Sequence, residues 1–566
     1  MRMSSATPTS GTSTARRLSL AGVLRLRRPS EIWFKPALSS VAAVAPPNLL
    51  LLAFGRLDLA MYTMAGSLCA LYAHNRPYAA RARTLAWVVL GMLAGVAAAL
   101  VTASLTRNAV VLVTVGALLA AVQKVLCDAT RVGPPGNVVL TFISSAALFV
   151  PQTLAQVPAH LALAAAAGAW AWLVGMAPAP VRPHGPERRA TAQALNAAAA
   201  YAAAHGTGAG EDHASARAAG YAAVQAAWQT LPALPSTGAR AATRHALERL
   251  VVRAEVALAA PADTDPERLR AWAHALRGGG RIPRTGDAPE DTDELLGVDA
   301  ELAARPAPLW QRLGPLTPIA ARTALGCALA GYASLALGIG RPYWALVTAA
   351  ALYQANVTLT WSRAVQRVVG NLAGVLAFAA IAPLAHLGQA LLVLCCLALN
   401  FGAEALITRN YWLGSVCVTP MALLVTEFAG YQAPGDLMTE RTVDTLVGAL
   451  VGFLAAVVVT NRRAGNRVEQ AVTAADSARE RAARLLAEPD PAPGVLEAAR
   501  RSLAAALTDL RAIADGAAGE WWGRALPQER VVLAEQAGHR TLAEAVRRQA
   551  TRPDRGVSTR TEDVRP

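Results

Sequence analysis

Arg341-Pro342-Tyr343-Trp344 opens an apolar stretch that closes on Tyr353, Gln354, Asn356, Thr358, Thr360 and Trp361, with Arg363 and Arg367 beyond it. Amides and hydroxyls at the end of an apolar helix, followed by two guanidinium groups, supply what a carboxylate needs: directional donors and positive charge. The rings of Tyr343, Trp344, Tyr353 and Trp361 add flat apolar surface against which an aromatic substrate packs. Interfacial aromatic belts and positive-inside arginines use the same residue types, so the pattern alone leaves both readings open.

Ionisable groups inside apolar runs are costly, which makes Asp58, Lys124, Arg322, Glu404, Glu427 and Asp444 candidates by default. Glu404 follows Asn400 within one run and is the carboxyl best placed to carry a proton; a structural pair with Arg409 is the alternative. Asp58 and Asp444 fall near outer span ends, where water would reach them. The six cysteines all lie in or beside apolar runs, without zinc-site or disulfide-framework spacing, and read as small packing residues.

Several chemistries are excluded. A phosphate-binding loop needs a Gly-Lys pair, and the only lysines, Lys35 and Lys124, follow Phe34 and Gln123. The chain has no metalloprotease helix motif, no nucleophile elbow and no dinucleotide fingerprint. No enzymatic activity, cofactor or metal is expected. The net charge of +15 belongs to arginines beside hydrophobic spans, where anionic headgroups account for it without a nucleic-acid partner.

With 54% hydrophobic and 16% charged residues, the charge gathered in blocks, most of the chain belongs in lipid. The expected class is all-α and polytopic. Apolar runs suited to a hydrocarbon layer of ~30 Å fall near 36–55, 57–73, 84–104, 108–127, 138–150 and 157–176. A second set falls near 317–338, 343–358, 368–385, 387–406, 411–428 and 442–460. The fifth run is short, and Pro46-Pro47 in the first predicts a broken or re-entrant helix.

One segment occurs twice. Ala70-Leu71-Tyr72, a basic stretch and Gly91-Met92-Leu93-Ala94-Gly95 are echoed by Ala351-Leu352-Tyr353, a basic stretch and Gly370-Asn371-Leu372-Ala373-Gly374. Two parallel repeats of about six transmembrane helices are therefore expected, related by an axis along the membrane normal. Gly91, Gly95, Gly370, Gly374, Gly448 and Gly452 read as helix-contact positions, since small residues let backbones approach in a bilayer. Arginine placement puts both termini in the cytoplasm, with only Arg56, Arg107 and Arg341 outside.

The organisation follows: a basic N-terminus (1–35), a first bundle (36–178), a cytoplasmic helical region (179–316), a second bundle (317–460) and a cytoplasmic helical tail (461–566). The basic start leads into the first span without a cleavage site, so that span reads as a retained anchor. The two cytoplasmic regions are expected to pack together, neither having an obvious core of its own. A flexible loop is expected over 277–294, a proline breaker at Pro489–Pro493 between helices over 468–486 and 495–515, and disorder from Thr551.

Arg341-Pro342-Tyr343-Trp344-Ala345, followed by Arg363, Arg367, Gly370 and Gly374, resembles the signature of the fusaric acid resistance (FUSC) family, whose relatives include aromatic acid exporters and plant aluminium-activated malate transporters. Asn371 departs from the small hydroxyl residue that often follows this glycine, and the first half has no counterpart of Tyr343-Trp344. The resemblance implies proton-driven export of small, often aromatic, organic acids across the plasma membrane. On that reading Tyr343, Trp344, Tyr353, Gln354, Asn356, Thr358, Trp361, Arg363 and Arg367 meet the substrate and Glu404 couples the proton. A passive organic-anion channel and a non-transporting envelope scaffold are the alternatives; a homo-oligomer or an envelope partner stays open.

Overall fold

A computed structural model of the chain describes residues 18, 20, 22–26, 33–204, 211–231, 239–259, 261–278, 280–284, 308–459, 464–489, 491, 494–518 and 528–550. The expected loop over 285–294, most of the Pro489–Pro493 breaker and the tail from Thr551 lie outside these residues. Among the described residues the protein is all helical. Two compact units emerge: residues 1–184, 306–465 and 516–525 form one, and 185–305, 466–515 and 526–566 the other.

The first unit opens with α1 (Phe34–Ala53), α2 (Ala60–Ser67), α3 (Tyr78–Leu105), α4 (Ala109–Thr130), α5 (Val138–Leu148) and α6 (Val157–Met176). The second unit then contributes α7 (Gly185–Ala204), α8 (Glu211–Thr230), α9 (Ala239–Ala259) and α10 (Pro266–Arg277). The chain returns to the first unit with α11 (Leu309–Leu313), α12 (Thr317–Ala336), α13 (Tyr343–Leu352), α14 (Val357–Ala385), α15 (Gln389–Ile407), α16 (Tyr411–Thr426) and α17 (Pro434–Val458). It ends with α18 (Ala464–Ala487), α19 (Val495–Ala518) and α20 (Gln528–Ala550).

Nine of the described helices are long and apolar enough to cross a membrane, and three shorter apolar stretches lie over Leu57–Leu71, Val138–Leu148 and Tyr343–Leu352. The protein is thus a multi-pass membrane protein turned apolar side out: Trp87, Leu105, Leu376, Leu450 and Val458 are exposed, while Asp444, Arg441 and Asn371 are buried. Lipid solvates the first group as well as a protein core would, and burial inside the bundle spares the second from hydrocarbon.

The proline pair does not break α1, which runs on through Pro46 and Pro47. A proline at 46 removes the donor for the Ala42 carbonyl. The Trp170 indole N–H of α6 donates to that carbonyl at 3.1 Å, so the helix continues. The expected span over 343–358 is also different: α13 ends at Leu352, Tyr353 turns extended, and α14 begins four residues later, well before the expected start at 368. Thr358, Trp361, Arg363 and Arg367 therefore ride on α14, and the two arginines sit inside a spanning helix instead of in a loop. The cysteines are free and mostly buried, as expected.

Within 34–176, α2 packs on α1 and α6, α3 on α5 and α6, and α4 on α5. Within 317–458, α13 packs on α12 and α17, α14 on α16 and α17, and α15 on α16. The two sets meet where α4 lies against α12 and α1 against α15. In the second unit, although residues 179–316 were expected to lack an obvious core of their own, α7–α10 enclose an apolar core with Leu195, Trp228, Leu247, Leu250, Leu269 and Leu276. That unit also buries an ionic knot. Arg500 of α19 pairs with Glu255 of α9 and with Glu497, while Glu255 accepts the Trp228 indole N–H at 2.7 Å. Burial works against the Arg500 guanidinium, but Glu255 and Glu497 outweigh it and hold its pKa above the usual arginine range.

Candidate substrate site in the second membrane half

The break between α13 and α14 takes up most of the polar groups that sequence reasoning assigned to a ligand. Asn356 is the N-cap of α14: its Oδ1 accepts the Leu359 N–H at 2.9 Å, and its Nδ2 donates to the Gly516 carbonyl at 3.0 Å. Thr360 donates to the Asn356 carbonyl at 2.8 Å and accepts the Gln354 N–H at 3.2 Å. Tyr353 donates to the Gly452 carbonyl at 3.2 Å, and Gln354 donates to the Tyr353 carbonyl. A Cβ at Gly326 would collide with the Tyr353 hydroxyl, so this packing requires glycine there. Thr358 accepts the Ser362 hydroxyl on its own carbonyl, and the Trp361 ring rests on Phe453 at 5.1 Å. Tyr353, Gln354 and Asn356 hold the chain break, Thr358 and Trp361 sit on the first turns of α14, and none of the five converges with the two arginines.

Arg363 and Arg367, four residues apart on α14, do converge. The Arg363 guanidinium lies 3.9 Å from the centre of the Tyr411 ring, and Arg367 Nη1 donates to the Tyr411 hydroxyl at 2.9 Å. Opposite them, on α17, Arg441 is 1% exposed, with its guanidinium 4.1 Å from the centre of the Trp344 ring. Its charge interacts with Arg367, Tyr343, Asp444 and Tyr411. Among the described residues, Arg441 Nε and Nη1 and Arg367 Nε are buried without a hydrogen-bond partner. Trp344 stacks obliquely on Tyr343 at 4.8 Å, and Phe142 and Phe149, in and just after α5, close the aromatic wall.

Asp444, expected near water, is fully buried. Its Oδ1 accepts the Ser334 hydroxyl at 2.6 Å; among the described residues its Oδ2 has no partner, and no ion pair joins it to Arg441. Asn371, the departure from the family pattern, bridges three helices: it donates to Thr445 at 3.0 Å and accepts from Thr419 at 2.8 Å. Gly370 and Gly374 let α16 approach, a Cβ at either meeting Ser415 or Thr419 within 2.7 Å. Gly448 and Gly452 do the same for α13, and Gly95 admits Gln123 and Ser144. Gly91 is different: its surroundings are open, because it sits on the outward face of α3, so it is no contact among the described residues.

Glu404, half-buried on α15, makes no hydrogen bond or ion pair among the described residues, neither with Arg409 nor with the cluster. Arg441 escapes sequence reasoning because the apolar run begins at Thr442; Pro434 at the first turn of α17 is the signal that the helix starts two turns earlier. On the far side of the cluster a cavity of about 390 Å³ is lined by Arg341, Tyr431, Gln432, Asp436 and Glu440. Arg341 pairs with Glu440 and Gln432 there, and Glu440 stands one helical turn from Asp444 on the same face.

Residues 328–455, which hold Trp344, Arg367, Arg441 and Asp444, match the family described as fusaric acid resistance protein-like. A relative, the uncharacterized membrane protein YvaC of Bacillus subtilis (strain 168), is 34% identical over 141 residues, 25% of this chain. The match spans 22% of that relative's length. No solved structure matches. The second membrane half of this multi-pass membrane protein is thus similar to the fusaric acid resistance protein-like family over residues 328–455.

Proposed function

We propose that this protein is a secondary exporter of small organic acids, aromatic carboxylates foremost, in the plasma membrane with both termini cytoplasmic. The observation that carries the reading is a charge imbalance. Three guanidinium groups, Arg363, Arg367 and Arg441, gather on Tyr411 and Trp344 inside spanning helices, and among the described residues none of the three forms an ion pair with a carboxylate. Unneutralised charge at such depth is costly, and an anion accepting the free N–H groups of Arg441 and Arg367 offsets that cost. The Tyr343–Trp344 wall gives an aromatic anion a stacking surface.

The helix pairings of 34–176 and 317–458 follow the same order, and α4–α12 mirrors α15–α1 across the seam. This supports a duplicated bundle whose halves rock against each other. Arginines occupy the site in one half only, so the second half binds and the first supplies the moving wall. Asp444, beside Arg441, is the carboxyl placed to exchange a proton against the anion; Glu404 lies apart. An uncoupled anion conduit is the competing reading, and the isolation of Glu404 favours it over coupling through that residue.

Efflux of benzoate from loaded proteoliposomes under an imposed pH gradient tests the proposal. Export is expected in the parent, to be lost in Arg441→Met, and to lose its pH dependence in Asp444→Asn but not in Glu404→Gln. Absence of benzoate movement, together with unaltered organic-acid sensitivity of a deletion strain, would reject transport in favour of a scaffold.

A further inference from the structure

The N-terminal segment Gly22–Leu26 lies across the start of α16 and the third turn of α14. It enters through a turn at Gly22, where φ is +79°, and Arg25 N–H closes on the Gly22 carbonyl at 3.1 Å. Three side chains then bind its main chain. Gln366 of α14 donates to the Val23 carbonyl at 2.9 Å, and the Trp412 indole N–H of α16 donates to the Leu24 carbonyl at 3.2 Å. Asn410 Nδ2 donates to the Val23 and Arg25 carbonyls, both at 3.1 Å. The Val23 side chain is buried.

These donors are the immediate neighbours of the site. Gln366 precedes Arg367, while Asn410 and Trp412 flank Tyr411, whose ring carries Arg363 and whose hydroxyl accepts from Arg367. Helices α14 and α16 already touch through Gly370 and Gly374 deeper in the bundle. The segment therefore ties the start of α16 to the third turn of α14, at the level where an anion reaching the arginines from that side would pass. Because the donors engage backbone carbonyls, the tie depends on the segment's conformation and on Gln366, Asn410 and Trp412, and little on its own side chains.

We propose that residues 22–26 form a latch that closes the cationic cluster from the N-terminal side of the membrane, and that its release opens the cluster there. The inference rests on the transport reading for its purpose, but its geometry can be tested without any transported anion. In the full-length protein with the six native cysteines replaced, Ser415→Cys reports access; Ser415 is buried one turn beyond Tyr411. Three changes release the latch: deletion of residues 1–26, Gln366→Leu, and Asn410→Asp. The last keeps the Oδ1 that caps α16 and removes the donor.

Labelling of the thiol introduced by Ser415→Cys, with a charged methanethiosulfonate reagent in proteoliposomes, is expected to accelerate by about tenfold or more when the donors or the segment are lost. Benzoate flux is expected to rise with it. Labelling no faster than in the parent, in the truncated protein and in Gln366→Leu alike, overturns the latch. Faster labelling without benzoate flux in any variant keeps the latch and removes the exporter reading.

Discussion

Arg441→Met separates a guanidinium kept for ligand binding from one kept for stability. In the folded protein Arg441 is almost fully enclosed, two of its N–H groups lack partners among the described residues, and its main favourable contact is the Trp344 face at 4.1 Å. A desolvated cation–π contact of this kind contributes ~2 kcal/mol. Enclosing a guanidinium without a carboxylate partner costs several kcal/mol. Methionine keeps the apolar stem and removes the charge, so the variant should unfold at the same temperature as the parent or a higher one.

Binding should move the other way. A hydrogen bond to a charged group is worth ~1.5–3 kcal/mol, so losing it weakens an organic anion by about 10- to 150-fold. Thermal unfolding of the detergent-solubilised protein with and without benzoate reads both effects. At 100 times its dissociation constant the anion stabilises the parent by ~2.7 kcal/mol; after a hundredfold loss of affinity the same concentration gives only about 0.4 kcal/mol. A variant that is destabilised, yet keeps the full benzoate-dependent shift, would refute the reasoning: Arg441 would then be part of the scaffold.

Gly448→Ala should destabilise the membrane unit by ~1–3 kcal/mol in thermal unfolding, because the new Cβ meets the Ala345 carbonyl at 2.5 Å, whereas Gly91→Ala, with open space around it, should be neutral or stabilising by about 0.5 kcal/mol. In the second unit, Glu255→Gln should lower stability by on the order of 3 kcal/mol, seen as an earlier unfolding transition, since Arg500 loses one of its two carboxylates while staying buried. His539 of α20 packs against Tyr221 at 5.0 Å, and burial, with Arg217 beside it, pushes its pKa down to about 4. The unfolded chain, with an ordinary histidine pKa of about 6.5, binds the proton more readily, so His539 favours the folded state above that pH and the advantage shrinks as pH falls towards 4. His539→Gln should flatten the pH dependence of unfolding over that window.

Nine of the twelve expected spans, and most of the contact glycines, were legible because hydrophobic length and small-residue spacing are local properties that lipid enforces directly; the runs near 57–73, 138–150 and 343–358 form only short apolar stretches. Asn356 was legible in principle as well: an asparagine before Val357-Thr358-Leu359 is a helix N-cap, and that reading would have separated α13 from α14. The site itself was only half visible. Arg363, Arg367, Tyr343 and Trp344 were found from type and spacing, but their partners Tyr411, Arg441 and Asp444 come from helices 44 to 101 residues further along, and only packing decides that these meet. Pro46-Pro47 misled because the compensation, Trp170, lies on another helix.

The ten residues of α13 extend only about 15 Å, half of a hydrocarbon layer, and every one of them is buried. Wherever water reaches its two ends, the membrane voltage falls across that thin septum and not across the whole bilayer, so the local field is roughly doubled. On the export reading, small displacements of a carboxylate past Trp344 would then carry a disproportionate share of the electrical work, making turnover steeply sensitive to membrane polarisation.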